Sequence, residues 1–316
     1  MSAAMPDSRY LAGAITAIAA VLVLRRITKA QNQRTQRVRL AEERVLILGA
    51  SSGLGRTLAK QYAARGARVC AVARRSEPLV ELAQECGDRC LPFVADFTDA
   101  AEMETLRSQL LRQWDGLDTL HVCAGVSAVQ PVIVLTGAQS DDEDPAAAGV
   151  ERAAGIAGRA AQGNFFGPLI AAMTFVPMLK RTSASPAILL VSSIAAVVPA
   201  PTRALYAATK AAALLFFQSL AIEHPEIAFT CVLPATIEGN FRSSAVDVDP
   251  SQGAGEPNKK GLKLEYVARR CAEAVDQGTR GNVVIPWFPY AIAHHLYYIW
   301  PSFIEEQARK KYNFGA

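Results

Sequence analysis

The sequence predicts a doubly wound α/β fold, a parallel sheet with helices on both faces, preceded by an N-terminal hydrophobic anchor. Three observations predict it. From Arg44 onward, short apolar runs alternate with helical stretches; the runs are apolar at nearly every position rather than at every second one; and the first run ends in a glycine-rich turn that opens a helix. Strands apolar on both faces belong to sheets covered on both faces, and right-handed crossovers then distribute the helices.

The strand segments, in order, are RVLILG (44–49), ARVCAVA (67–73), CLPFVA (90–95), DTLHVCAG (118–125), AILLVSS (187–193), IAFTCVL (227–233) and NVVIP (282–286). Helices are predicted over 54–65, 77–86, about 99–114, 203–223 and about 264–277. Residues 137–160 break the alternation with an acidic cluster (Asp141, Asp142, Glu143, Asp144) and an Ala/Gly-rich stretch. Four adjacent acids cannot all face one ion, so the cluster reads as a solvated loop before a helix starting near Pro145, whose positive end the acids favour. No internal repeat goes beyond the alternation.

Composition bounds the function. The 316 residues are 51% hydrophobic, enough for a large core and against disorder. Net charge is +4, yet residues 1–44 alone carry eight basic residues against three acidic ones, which leaves the remainder close to neutral. That excludes a broad nucleic-acid face. The six cysteines are scattered, without a CxxC pair or a Cys/His cluster, and read as reduced thiols with no metal site.

The leader holds an uncharged apolar run from Tyr10 to Leu24, 15 residues long, which Arg25 and Arg26 can extend by snorkelling to Ile27. Spanning a bilayer takes about 20 residues. The run is compatible with an uncleaved signal anchor, a cleaved secretory signal, or a surface-bound or mitochondrial targeting helix. Six basic residues follow it by position 39, whereas Arg9 stands alone before it, and this favours the anchor with the following domain in the cytoplasm. The organisation expected is an anchor and basic linker over 1–43, a catalytic domain over 44–286 and an aromatic-rich extension over 287–316.

Gly49-Ala-Ser-Ser-Gly53-Leu-Gly55 lies directly between the first strand and the first helix. Glycines there let the backbone turn sharply and approach a pyrophosphate resting on the helix N-terminus. At the end of the second strand, a chain preferring NAD offers an acid to the ribose 2′-hydroxyl. This chain has Arg74 and Arg75 instead. Arg74 can pair with a 2′-phosphate, with Arg56 adding charge beside the loop, and NADP(H) is the expected cofactor. Asp96, after the third strand, either accepts from the adenine amine or caps the next helix.

Tyr206 and Lys210 are four apart on a predicted helix and so share a face. Reduction of a carbonyl needs a proton for the developing alkoxide, and a tyrosine of ordinary pKa about 10 becomes a useful donor only if a nearby cation stabilises its phenolate. Lys210 supplies that cation and is placed to hold the nicotinamide ribose. Ser193, 13 residues before Tyr206 at a strand end, is positioned to hydrogen-bond the substrate oxygen.

Taken together, GASSGLG (49–55), Asn164 in NFFG, Ser193 in VSS, YAATK (206–210) and Pro234 resemble the short-chain dehydrogenase/reductase family of the NADPH-preferring kind, over roughly residues 44–240. The resemblance implies a Rossmann fold and a catalytic tetrad of Asn164, Ser193, Tyr206 and Lys210, with Asn164 holding a water that links Lys210 to solvent. It extends the cofactor contacts to Gly49, Ser51, Ser52, Gly53, Leu54, Gly55, Arg74, Asp96, Ala124, Gly125, Tyr206, Lys210 and Pro234. Two departures stand out: Val122-Cys123-Ala124-Gly125 replaces the family's N-N-A-G, and Pro234-Ala235 replaces its Pro-Gly. PMLKR (177–181) and the anchor resemble, more loosely, the membrane-bound hydroxysteroid-dehydrogenase-like branch.

Residues 236–263 are polar and Gly/Pro-containing, as expected of a lid over substrate. The aromatics from Trp287 to Phe303 are suited to lining an apolar pocket, seating the domain at a membrane, or packing as a C-terminal helix. The expectation is a membrane-anchored NADPH reductase of the endoplasmic reticulum, its catalytic domain in the cytosol, acting on a lipophilic carbonyl (steroid, retinoid or lipid). The membrane partners would be residues 10–27 and the aromatic segment, and a homodimer is allowed for. Alternatives are a 3-keto sphingoid or acyl lipid reductase, and a non-catalytic nucleotide-binding membrane scaffold.

Overall fold

The computed structural model describes residues 34–138, 140, 142–248 and 257–314. The anchor expected over 10–27, part of the acidic cluster and part of the lid lie outside them. Seven strands, β1 (Arg44–Leu48), β2 (Arg68–Ala73), β3 (Cys90–Val94), β4 (Thr119–Val122), β5 (Ala187–Val191), β6 (Ala228–Pro234) and β7 (Gly281–Ile285), form one all-parallel sheet in the order β3-β2-β1-β4-β5-β6-β7. The helices are α1 (Gly53–Ala64), α2 (Ser76–Cys86), α3 (Ala100–Trp114), α4 (Ala147–Ala161), α5 (Gly167–Thr182), α6 (Ala204–Glu223), α7 (Leu264–Asp276), α8 (Tyr290–Ile299) and α9 (Pro301–Tyr312).

Strand alternation splits the core into two layers. Leu46 and Leu48 of β1 turn to one face with Leu106 of α3, Phe175 of α5 and Phe217 of α6. Val45 and Ile47 turn to the other with Leu58 of α1, Leu79 of α2 and Val267 of α7. Both faces are therefore buried, as continuous apolar strands require. β3 departs from that pattern: only Cys90 is buried along it, because an edge strand is less completely covered, and it is the position where a sheet tolerates a proline such as Pro92.

The folded unit begins before β1. Arg34, grouped by composition with the basic leader, is 2% exposed. Its guanidinium donates to Glu43 at 2.6 Å, Thr119 Oγ1 at 2.6 Å, the Asp118 carbonyl at 3.0 Å and the Ser185 carbonyl at 2.7 Å. Arg65 closes on the other Glu43 oxygen and reaches Asp276 at 2.8 Å. Arg44 pairs with Asp118 at 2.8 Å. These basic residues fasten the N-terminal ends of β1 and β4.

α4 and α5 are joined by a π-helical turn, Gln162–Phe166, in which the Gly167 N–H bonds the Gln162 carbonyl. The C-terminal extension folds as two helices that break at Trp300, with Pro301 in the first turn of α9, where its missing N–H costs nothing. His294 of α8 packs on the Val197 carbonyl at 3.2 Å.

Candidate active site

Strand order reverses between β1 and β4, and in an open parallel sheet ligands bind at the carboxyl ends of the strands flanking such a switch point. Both strand ends there are glycine-bearing. Gly49 has φ +91° and a Cβ on it would lie 2.6 Å from the Ala124 nitrogen, so only glycine lets β1 and β4 end this close together. A Cβ on Gly55 would lie 2.1 Å from the Gly49 carbonyl, which seats α1 tightly under the turn. Gly53, φ +55°, has open space where a Cβ would stand. Ser52, at the N-cap of α1, makes no side-chain cap, so the first amides of α1 face outward. A turn of this shape can cradle a phosphate, and a dinucleotide pyrophosphate fits it. Leu54 is partly buried against the core, leaving its backbone for the loop.

The arginines divide differently from the sequence expectation. Arg74 is 72% exposed with Asp96 at 3.7 Å. Arg75, which nothing in the dipeptide singles out, donates to Ser51 Oγ at 3.0 Å and Ser52 Oγ at 3.2 Å. Arg56 is turned away, bonding the Pro78 carbonyl at 2.8 Å and Glu85 at 3.0 Å. The capping role left open for Asp96 belongs to Asp99, whose carboxylate accepts from Ala101 and Glu102 at the start of α3. Asp96 instead accepts from the backbone and hydroxyl of Thr98.

The four candidate tetrad residues converge beyond β4 and β5. Asn164 is fully buried in the π turn: its carbonyl accepts from Val126 N at 2.9 Å, and its amide donates to Val126 O at 3.0 Å and Thr209 Oγ1 at 3.1 Å. A π turn commonly marks a functional position, because the extra residue re-aims a side chain. A Cβ on Gly125 would lie 2.8 Å from Asn164 Oδ1 and 3.0 Å from Lys210 Nζ, so a bare backbone is required where these groups meet. Lys210 is 4% exposed and donates to the Val191 carbonyl at 3.0 Å. Burial pushes its ammonium down to about 8, opposed in direction by the neighbouring Cys123. Cys123 stands where the resemblance expects asparagine.

Ser193 caps the short helix after β5, accepting from Ala195 N at 3.2 Å, and its hydroxyl also acts on the Tyr206 phenol. Burial raises the Tyr206 phenol above its ordinary value; the Ser193 hydrogen bond and the charge of Arg203 oppose this, and Tyr312 of α9 adds to it. Phe241, in the lid, packs edge-on against the Tyr206 ring at 5.9 Å. The lid is fastened to the loop after β4: Ser127 N donates to Ser244, and Asp247 accepts from Val129 N at 2.6 Å and Gln130 N at 2.7 Å. Pro234 ends β6, and Ala235 N bonds the Ile285 carbonyl at 2.7 Å. A groove of about 420 Å³ between α5 and α6, lined by Met173, Val176, Lys180 and Leu220, lies toward the opposite end of α6 from Tyr206.

A sheet that reverses its order beside a glycine turn is the architecture of dinucleotide-binding proteins. A sequence model described as short chain dehydrogenase matches residues 43–248, and the chain belongs to this family of nicotinamide-dependent oxidoreductases. Its relatives lie in the hydroxysteroid-dehydrogenase-like branch. It is 30% identical over 247 residues to 11-beta-hydroxysteroid dehydrogenase-like 4A of Arabidopsis thaliana, covering 76% of this chain and 75% of that protein. It is 31% identical to dehydrogenase/reductase SDR family member 7B of Bos taurus, covering 66% and 62% respectively. An alcohol dehydrogenase from Thermococcus sibiricus, solved with 5-hydroxy-NADP, shares the fold at a TM-score of 0.60 and 22% identity, over 77% of this chain and 95% of that one. A short-chain dehydrogenase from Streptomyces avermitilis does so at 0.63 and 22%, over 86% and 98%.

Proposed function

We propose that the protein is an NADPH-dependent reductase, reversible as a dehydrogenase, of a lipophilic carbonyl, and that Tyr206 is its general acid and base. The observation that carries this reading is the burial of Lys210 and Asn164 against the bare backbone at Gly125, with the buried Tyr206 one turn of α6 from Lys210 and the half-buried Ser193 acting on its phenol. When bound, the nicotinamide supplies the hydride for reduction or accepts it in oxidation. Gly49, Ser51, Ser52, Gly53, Leu54 and Gly55 would hold the pyrophosphate side, Ala124, Gly125 and Pro234 the nicotinamide side, and Asp96 the adenine. Arg75, Arg74 or both would meet the 2′-phosphate.

Within that frame the chain's own residues handle the proton. The Ser193 hydroxyl favours the Tyr206 phenolate, and in this reading a substrate oxygen would be held between the two hydroxyls. Tyr206, kept protonated by burial, gives its proton to the developing alkoxide. Lys210, held by the Val191 carbonyl, would fix the ribose and favour the tyrosinate left behind. Asn164 holds the Val126 backbone and so fixes the loop that Lys210 abuts. In this reading Asn164 would also hold the water of a proton path to Lys210.

An apolar substrate is supported by Phe241 on the Tyr206 ring and by the names of the relatives. Membrane seating is supported by the outward-facing Trp287, Phe288, Tyr298 and Trp300 around α8, whose amphipathic rings suit a headgroup interface. With residues 10–27 as anchor, the proposal is a protein of the endoplasmic reticulum membrane with this domain in the cytosol. The test follows NADPH consumption with a panel of steroids, retinals and 3-keto lipids. Tyr206→Phe is expected to lose about 100-fold or more in turnover while still binding NADPH. Full turnover by that variant, or NADPH binding by the wild type without turnover of any carbonyl, would sink the assignment. A tag-accessibility assay placing the C-terminus in a lumen would overturn the topology.

A further inference from the structure

We propose that Arg203 is a positioning residue that holds a second, permanent positive charge over the Tyr206 ring and stabilises the tyrosinate independently of Lys210. The inference rests on Tyr206 being the proton donor.

The geometry is specific. The guanidinium carbon of Arg203 stands 5.0 Å from the centroid of the Tyr206 ring. Cations within about 6 Å of an aromatic face are attracted to it, and the attraction strengthens as the ring gains negative charge. The side chain is fixed there from its far end: Nη1 donates to Ser127 Oγ at 3.0 Å and to the Ala128 carbonyl at 2.7 Å. Ser127 is also the residue whose backbone bonds Ser244 and Val246 of the lid, so the loop that clamps Arg203 is itself clamped. From the near end, Thr202 holds φ +62°, a left-handed conformation rare for a β-branched residue, at the turn that delivers Arg203 to the start of α6. Among the described residues no carboxylate pairs with Arg203, so its charge is not spent on a salt bridge.

The groups acting on Tyr206 are few. Among the described residues, the Ser193 hydroxyl after β5 favours its ionisation, Tyr312 of α9 opposes it, Phe241 is apolar, and Arg203 supplies a favourable charge from the ring face. Lys210, one turn along α6, is directed at the Val191 carbonyl and is itself discouraged by burial from carrying its charge. A guanidinium does not lose its proton in this range, so Arg203 keeps acting where Lys210 fades.

Tyr206 ionisation can be read without any substrate. The tyrosinate absorbance of a protein saturated with NADP+ is followed through a pH titration, and the same titration of the Tyr206→Phe form of each background is subtracted. Arg203→Met and Arg203→Gln are expected to move the Tyr206 midpoint upward by about half a unit to one unit. Arg203→Lys, which keeps a charge but loses the planar clamp, should move it less. Arg203→Gln can still donate to Ser127 or Ala128, so it serves if Arg203→Met folds poorly. Midpoints of both neutral variants coinciding with the wild type would overturn the proposal, whatever happens to activity or melting temperature. The parent reading fails separately, by full turnover of Tyr206→Phe in the carbonyl panel.

Discussion

The two ends of the sheet both bury charge, but they do so differently. At the N-terminal end, Arg34, Glu43, Arg65 and Asp276 are matched cation to anion, and Arg44 is matched to Asp118. At the C-terminal end, Lys210 is equally hidden yet faces a carbonyl, a glycine and an amide, with no carboxylate among the described residues. Matched buried charges hold geometry; an unmatched one is expensive and persists where chemistry uses it. The contrast supports the proposed division between a structural cluster and a working one without reference to sequence motifs.

Substitutions at the two ends should therefore have opposite profiles. The largest effect is expected for Lys210→Met, about 100-fold or more in turnover, with a denaturant midpoint that holds or rises because an unpaired buried cation is removed. Arg34→Met should do the reverse. It takes away the partner of a buried carboxylate and costs roughly 3 kcal/mol in urea unfolding, the low end of the range because Arg65 still serves Glu43. The protein that remains folded should keep its turnover. A stable, inactive Arg34 variant or an unstable, active Lys210 variant would erase the distinction.

Two further predictions sharpen it. Reductive turnover should decline as pH rises past about 8, because Lys210 loses its proton there while Tyr206, raised by burial, keeps its own. A rate flat from pH 7 to 9 would show that Lys210 charge is not needed. The smallest effect concerns the cofactor's far end. Arg75→Ala should raise the KM for NADPH about tenfold and leave that for NADH unchanged, with a lesser effect from Arg74→Ala.

Much of the scaffold was legible in the chain, because a strand buried on both faces leaves an unbroken apolar run and a cradle leaves glycines. The spacing of Ser193, Tyr206 and Lys210 was legible for the same reason: it is local to one strand end and one helix. What escaped depends on direction in space. Nothing in the dipeptide Arg74-Arg75 states which side chain turns back over the glycine loop. Asp96 and Asp99 are equally plausible caps until the first turn of α3 is built. Arg34 reads as one more basic residue of a leader, since its partners Glu43, Thr119 and the carbonyls of Asp118 and Ser185 come from four separate places. Arg203 is invisible for a related reason, because its role depends on a loop some 75 positions earlier.

The π turn at Gln162–Phe166 carries a consequence for how this region can vary. A helix advances by about 100° per residue, so deleting any one residue of that turn would restore an ordinary α-helix and swing everything before it around the axis. Asn164 could then no longer serve both Val126 and Thr209. Length in this stretch is accordingly under stricter constraint than composition: residues here can be exchanged more readily than lost.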